Sequence, residues 1–204
     1  MSVTAYMNDC RRRQGLLTLD EILALAERGN VIYDPHSLLV SRRAIIGRHN
    51  VFFPNVTLFC GETQNLSIGD RNIFHAMTLM DAADGPIAVG SDNQFGEGGL
   101  TVRCNRPGAA VEIGDGGRYM GGASVFGRTA LGSGSQLLGQ IAVDSCRLEA
   151  GDSFRSPDPD ARAGLLKGWG SARGLSVPRG SVIAGNGRFD AAGLERQSAY
   201  HPKA

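Results

Sequence analysis

The 204-residue sequence has no apolar run long enough to cross a bilayer, and its first thirty residues contain no apolar stretch of signal-peptide type. No membrane association is therefore expected, and a cytoplasmic location follows by default. The four cysteines, Cys10, Cys60, Cys104 and Cys146, are far apart and form no CxxC pair, which argues against a zinc knuckle or a disulfide framework and for free thiols. An excess charge of either sign is also missing. Twenty-one basic and twenty acidic side chains nearly cancel and are scattered, so no electrostatic grip on nucleic acid is expected. The local exception, Arg11, Arg12 and Arg13, reads as a solvated N-terminal arm.

What the sequence has in excess is glycine. Its 29 glycines are about twice the share expected from a usage of roughly 7%. They keep no strict third-residue spacing, which excludes a collagen-like chain, so the backbone must turn often or pass close to itself.

One helix is signalled near the N-terminus. Thr18 followed three residues later by Glu21 is a capping box, Leu19, Ile22, Leu23 and Ala26 share a face, and Gly29 is a natural stop, giving a helix over 19–28. The period then changes to six. Val40, Ile46, Phe52 and Leu58 are followed by Ile68, Phe74 and Met80, by Val89, Phe95 and Thr101, and by Ile113, Tyr119, Val125, Leu131, Leu137 and Val143. An α-helix would send positions six apart to different faces, and single strands of this length are not seen. A solenoid accounts for the spacing: each hexad is one short strand and one corner, and three hexads close a turn.

The breaks in register sharpen that expectation. The three insertions follow Leu58, Met80 and Thr101, each after a third hexad, so all three should leave the prism at one corner. They contain Phe59, Glu62, Gln64 and Asn65; Asp81 and Asp84; and Arg103 with Arg106. A longer polar excursion occupies 151–164, Val177 and Ile183 suggest a returning coil, and the tail after Gly187 is expected to form a helical turn from Asp190 and cover the open end.

The stretches IGRHNVFFPNV, LSIGDRNIFHAMTLM, VEIGDGGRYMGGASV and VPRGSVIAGNGRF resemble coils of the hexapeptide-repeat acyltransferases over about 31–189. The segment LALAERGNVIYDP resembles the entry into the acyltransferase half of bacterial sugar-nucleotide pyrophosphorylases. The resemblance implies an all-β, left-handed parallel β-helix of three sides, with a short N-terminal helix and a C-terminal cap. The chain then divides into an arm and capping helix (1–38), the β-helix (39–187) and a tail (188–204). It also implies a homotrimer with an acyl-coenzyme A, acetyl-CoA in the simplest case, lying between neighbouring prisms.

Acyl transfer needs a base for the acceptor hydroxyl or amine and a donor for the tetrahedral oxyanion. Of His36, His49, His75 and His201, the best candidate base is His75, one residue beyond the inward Phe74; His49 is second. Asp81 or Asp84 is placed to orient His75, and Lys167, Arg173, Arg179 and Arg188 are candidates for the coenzyme phosphates. The bland alternatives are surface imidazoles, solvated loop carboxylates and basic residues that keep the last coils soluble. The sequence departs from the sugar-nucleotide branch where that family carries its catalytic histidine: the stretch NRPGAAV has none, and Arg106 cannot serve as a base near neutrality. No metal is expected, since the His-x4-His pair of the related zinc anhydrases is missing. GDGG and GSGS lack the Lys-Ser/Thr ending of a phosphate loop and read as corners. Two functions remain: an acyl-CoA-dependent transferase acting on a sugar, nucleotide sugar or other small hydroxyl or amino acceptor, or a noncatalytic homotrimeric scaffold.

Overall fold

A computed structural model describes residues 2–62 and 66–201. The chain winds as a three-sided parallel β-helix, an arrangement consistent with the left-handed sense implied by the resemblance. The first face stacks Val31–Ile32, Val51–Phe52, Ile73–Phe74, Gln94–Gly96, Arg118–Met120 and Gln136–Leu138. The second stacks Leu39–Val40, Thr57–Cys60, Leu79–Ala82, Leu100–Arg103, Ala123–Phe126 and Ile141–Asp144. The third stacks Ile45–Ile46, Leu66–Ile68, Ile87–Val89, Ala110–Ile113, Arg128–Leu131, Arg147–Leu148 and Ser176–Val177. In the upper coils Leu165–Arg173 pairs with both the first and second faces, and Ser181–Arg188 runs parallel beside it.

The hexad residues fill the tube. On the first face Phe52, Phe74, Phe95 and Tyr119 are fully buried and stack ring on ring, with centroids 5.0, 4.9 and 5.5 Å apart. Each such ring removed from water stabilises by about 1.5–3 kcal/mol, and the stacked geometry adds to that. One member of the series is corrected. Thr101 lies on the outside; the inward residue is Val102, in register with Met80 below and Val125 above. The corner before it, Gly96 to Gly99, takes positive φ at all four residues and accommodates one extra residue, so the spacing from Phe95 is seven.

All three insertions emerge between the second and third faces, as expected from their placement after every third hexad; of their contents, Gln64 and Asn65 lie outside the described residues. The 151–164 excursion leaves by another corner, between the third and first faces, and brings the Phe154 ring under the Arg118 guanidinium of the first face at 5.0 Å. At that same corner Asn30, Asn50, Asn72 and Asn93 form a ladder. Each Oδ1 accepts the backbone N–H one coil up, at 2.7–3.0 Å, and each Nδ2 donates to a neighbouring carbonyl. The ladder ends at Gly117, where the buried Tyr119 hydroxyl takes the space and pairs with Ser135 Oγ at 3.0 Å.

Both ends are closed. The capping box is present, with Glu21 N–H donating to Thr18 Oγ1 and Thr18 N–H to Glu21 Oε2, and it opens α2 (Leu19–Glu27), whose Ile22 and Leu25 seal the lower end. A second helix precedes it, α1 (Val3–Arg13), which the sequence did not signal. Its Arg11 is buried rather than solvated: the guanidinium donates to the carbonyls of Leu17, Leu38, Pro35 and His36 and so clamps α1 to the first coil. At the upper end Asp190 caps a short 3-10 turn, Ala191–Gly193, and Leu194–Arg196 then pairs antiparallel with Ser181–Arg188, covering part of the last strand edge. No helix is long and apolar enough to cross a membrane among the described residues.

Candidate functional site

The second face and the corner leading into it carry the polar chemistry. Along that corner the register sets Gly96, Met120, Leu138 and Lys167 in one column, and His75 lies directly below Gly96 because Phe74 pairs with Phe95. The His75 ring is half-buried. It stacks on Phe53 at 4.8 Å, and Phe53 in turn meets Tyr33 at 4.8 Å. Its Nε2 lies 3.3 Å from Gln94 Nε2, so in this orientation the amide donates and the ring proton sits on Nδ1; turning the carboxamide over reverses the tautomer.

Asp81 is not joined to His75. It lies at the far end of the same face, in register with Arg103, and each of the two keeps one buried polar atom without a partner among the described residues, Asp81 Oδ1 and Arg103 Nε. Asp84 is exposed on its loop. His49 stands at the corner between the third and first faces, with φ at +58° and its ring packed over Gly29; His36 and His201 are exposed near the two ends of the chain.

Above, a groove of about 450 Å³ runs across the second face between Phe126, Asp144, Ser171, Arg173 and Arg188. Arg106 reaches over from its insertion to Asp144 Oδ1, and Arg173 donates to Oδ2 at 3.1 Å. Burial alone would push the Asp144 carboxyl up, but hydrogen bonds from Ser145, Arg106 and Arg173 outweigh it and hold the group below the usual carboxylate range. With one carboxylate against three guanidinium groups, the groove is a net cationic surface. The four basic residues expected to act together are divided: Arg173 and Arg188 line the groove, Lys167 stands on the corner column, and Arg179 braces the 151–164 loop through the Ala161 carbonyl and Asp152. The sequence did not single out Asp144, Gln94 or Phe53. Asp144 follows the inward Val143 by one residue, the same offset that marked His75, and that offset was the available signal.

Two of the four cysteines are unsuited to act as nucleophiles. Burial pushes the Cys104 thiol up to about 11 and raises that of Cys146, which keeps both protonated and inert at neutral pH. No group of three or more His, Cys, Asp or Glu converges in a metal-holding arrangement among the described residues.

No family model matches the sequence, and no curated protein matches it either. The chain is similar in structure to the UDP-N-acetylglucosamine O-acyltransferase LpxA of Moraxella catarrhalis, with 13% identity, a TM-score of 0.32, and coverage of 77% of this chain and 67% of that one. It is also similar to LpxA of Acinetobacter baumannii, with 15% identity, a TM-score of 0.29, and coverage of 77% and 69%. The fold rests on the strand register given above, and the functional reading on this chain's own side chains.

Proposed function

We propose that the protein transfers an acyl group, acetyl in the simplest case, from a coenzyme A thioester to a hydroxyl or amine of a small acceptor such as a sugar or nucleotide sugar, and that it does so as a homotrimer. The observation that carries this reading is the cationic groove of Arg106, Arg173 and Arg188 on the face whose leading corner holds His75. Guanidinium groups suit the phosphates of the donor. Lys167 stands four coils above His75, about 19 Å at a strand spacing of ~4.8 Å, a span that an extended phosphopantetheine arm bridges. In the reaction His75 takes the acceptor proton as the new bond to the carbonyl carbon forms; the carbon–sulfur bond breaks and the proton passes to the departing thiolate.

Thiol release from acetyl-coenzyme A across a panel of amino and hydroxyl sugars, together with a thermal shift by the donor, tests the reading. Turnover and a shift that Arg173→Ala with Arg188→Ala abolishes are expected. No release with any acceptor and no shift would overturn it. Full activity in His75→Ala would leave the class in place and remove His75 as the base. A second reading, a noncatalytic homotrimeric scaffold, is favoured by one observation: among the described residues no carboxylate orients His75, which meets an aromatic ring and a carboxamide.

A further inference from the structure

The sequence contains a single tryptophan, Trp169, and the fold leaves it 60% exposed. It stands on the strand Leu165–Arg173, where Lys167, Trp169, Ser171 and Arg173 alternate outward. The residues on either side are glycines with φ of +124° and +132°, and a Cβ at Gly168 or Gly170 would collide with the carbonyl of Gly185 or Gly187 on the next coil. The backbone on either side of the indole is therefore bare, and the nearest outward side chains of its own strand are Lys167 and Ser171, two positions away. The residues on the adjoining coils are Asn186, its register partner, and Gln140, whose carbonyl accepts from Gly170 N–H. Neither carboxamide makes a hydrogen bond within the chain among the described residues. Arg188, two residues beyond Asn186, leads into the cationic groove.

A large exposed ring with a donor-acceptor group on each side and guanidinium groups beyond it matches the pieces of a nucleotide: a flat base, polar base edges and phosphates. We infer that Trp169 is the stacking platform for the purine base of the donor, with Gln140 and Asn186 reading its edge and Lys167, Arg173 and Arg188 holding its phosphates. The inference rests on the acyl-transfer reading and adds a commitment to it: the donor is a free nucleotide-bearing thioester, not an acyl chain presented by a carrier protein.

Because the chain has one tryptophan, its own fluorescence reports the contact. Adenosine 3′,5′-bisphosphate added to the full-length protein should quench the emission saturably, and pantetheine should not. By calorimetry, Trp169→Ala should bind the bisphosphate about 5- to 150-fold more weakly, the range that loss of one stacked base gives, with Trp169→Phe intermediate. Absence of quenching at millimolar nucleotide would overturn the assignment, as would undiminished binding to Trp169→Ala. An emission already blue-shifted in the free protein and insensitive to nucleotide would also overturn it, since a second copy would then cover the ring. The two readings fail separately. If the bisphosphate binds as described but no thioester is consumed, the base site stands and acyl transfer falls. If thioester is consumed and Trp169→Ala leaves the KM for the donor unchanged, acyl transfer stands and the base site falls.

Discussion

At Asn50, Asn72 and Asn93 a side chain performs the task that a backbone carbonyl performs elsewhere in the sheet. Asn72 accepts from the Asn93 N–H and side chain through Oδ1, and donates through Nδ2 to Asn50 Oδ1 and the Gly90 carbonyl, all within 3.1 Å and fully buried. Replacing it with alanine strands a buried N–H on one coil and a carbonyl on another. Each buried group left without a partner costs about 1–3 kcal/mol. Asn72→Ala should therefore destabilise by about 2–6 kcal/mol in urea unfolding, well beyond an exposed corner substitution such as Arg71→Ala. A loss under 1 kcal/mol would mean that water replaces the ladder. The same logic separates corner residues by burial: Arg71 and Asp92 form a bidentate exposed pair, and such pairs contribute little.

At the scale of single elements, α2 depends on a carboxylate. The Arg42 guanidinium, followed by the Thr18 backbone N–H, holds the Glu21 carboxyl well below its usual range, at about 2. Because the folded value lies below the unfolded one, the stabilisation is complete above the ordinary glutamate range near 4.5 and is lost as pH falls from there towards 2. The seal over the lower end of the tube should therefore loosen in acid. Amide exchange in α2 should rise between about pH 4.5 and 2, and Glu21→Gln should remove most of that pH dependence while lowering protection at pH 7. Equal acid sensitivity in the variant would place the loss elsewhere.

This helix was legible in the sequence because a capping box and an apolar spacing are both local patterns, but its buried side was read one step off: Leu25 packs inward with Leu19 and Ile22, while Leu23, expected on that face, is 57% exposed. The column of inward hexad residues was legible for the same reason, and so was the shared corner of the three insertions. Helix α1 was not: the residues it buries are the polar Asn8 and Arg11, not an apolar stripe, and what fixes it is Arg11 reaching carbonyls 24 to 27 residues away together with Asn8 accepting the Leu19 N–H. Val102 was missed in favour of Thr101 because an extra residue absorbed by glycines in left-handed conformations leaves no mark on the apparent period. At the candidate site the histidine was readable from its offset to Phe74. The Arg106–Asp144–Arg173 cluster was not, since it joins residues 38 and 29 positions apart that only the coiling brings together.

At the scale of the whole molecule, the two halves of the first face differ. In the upper coils Gln136 and Leu165 are buried, with Phe154 of the 151–164 loop beside Arg118 and Tyr200 of the tail near Leu165 and Val182. In the lower coils none of the described residues covers the corresponding surface: Val31 is 48% exposed, Tyr33 61% and Met77 67%, around Ile73 and the Phe53–His75 stack. A β-helix gains nothing from apolar side chains outside its tube, so a contiguous outward group of this kind is what association with a second prism would bury. Under the homotrimer proposed above, His75 would then lie at a junction between copies, and breaking the junction should remove activity together with assembly. Light scattering after size exclusion should give three times the 21.6 kDa chain mass. Tyr33→Glu with Met77→Glu should shift the protein to monomer and reduce acyl transfer at least tenfold while leaving far-ultraviolet circular dichroism unchanged. A wild-type monomer, or a charged variant that remains trimeric and fully active, would show that the lower first face takes no part in assembly.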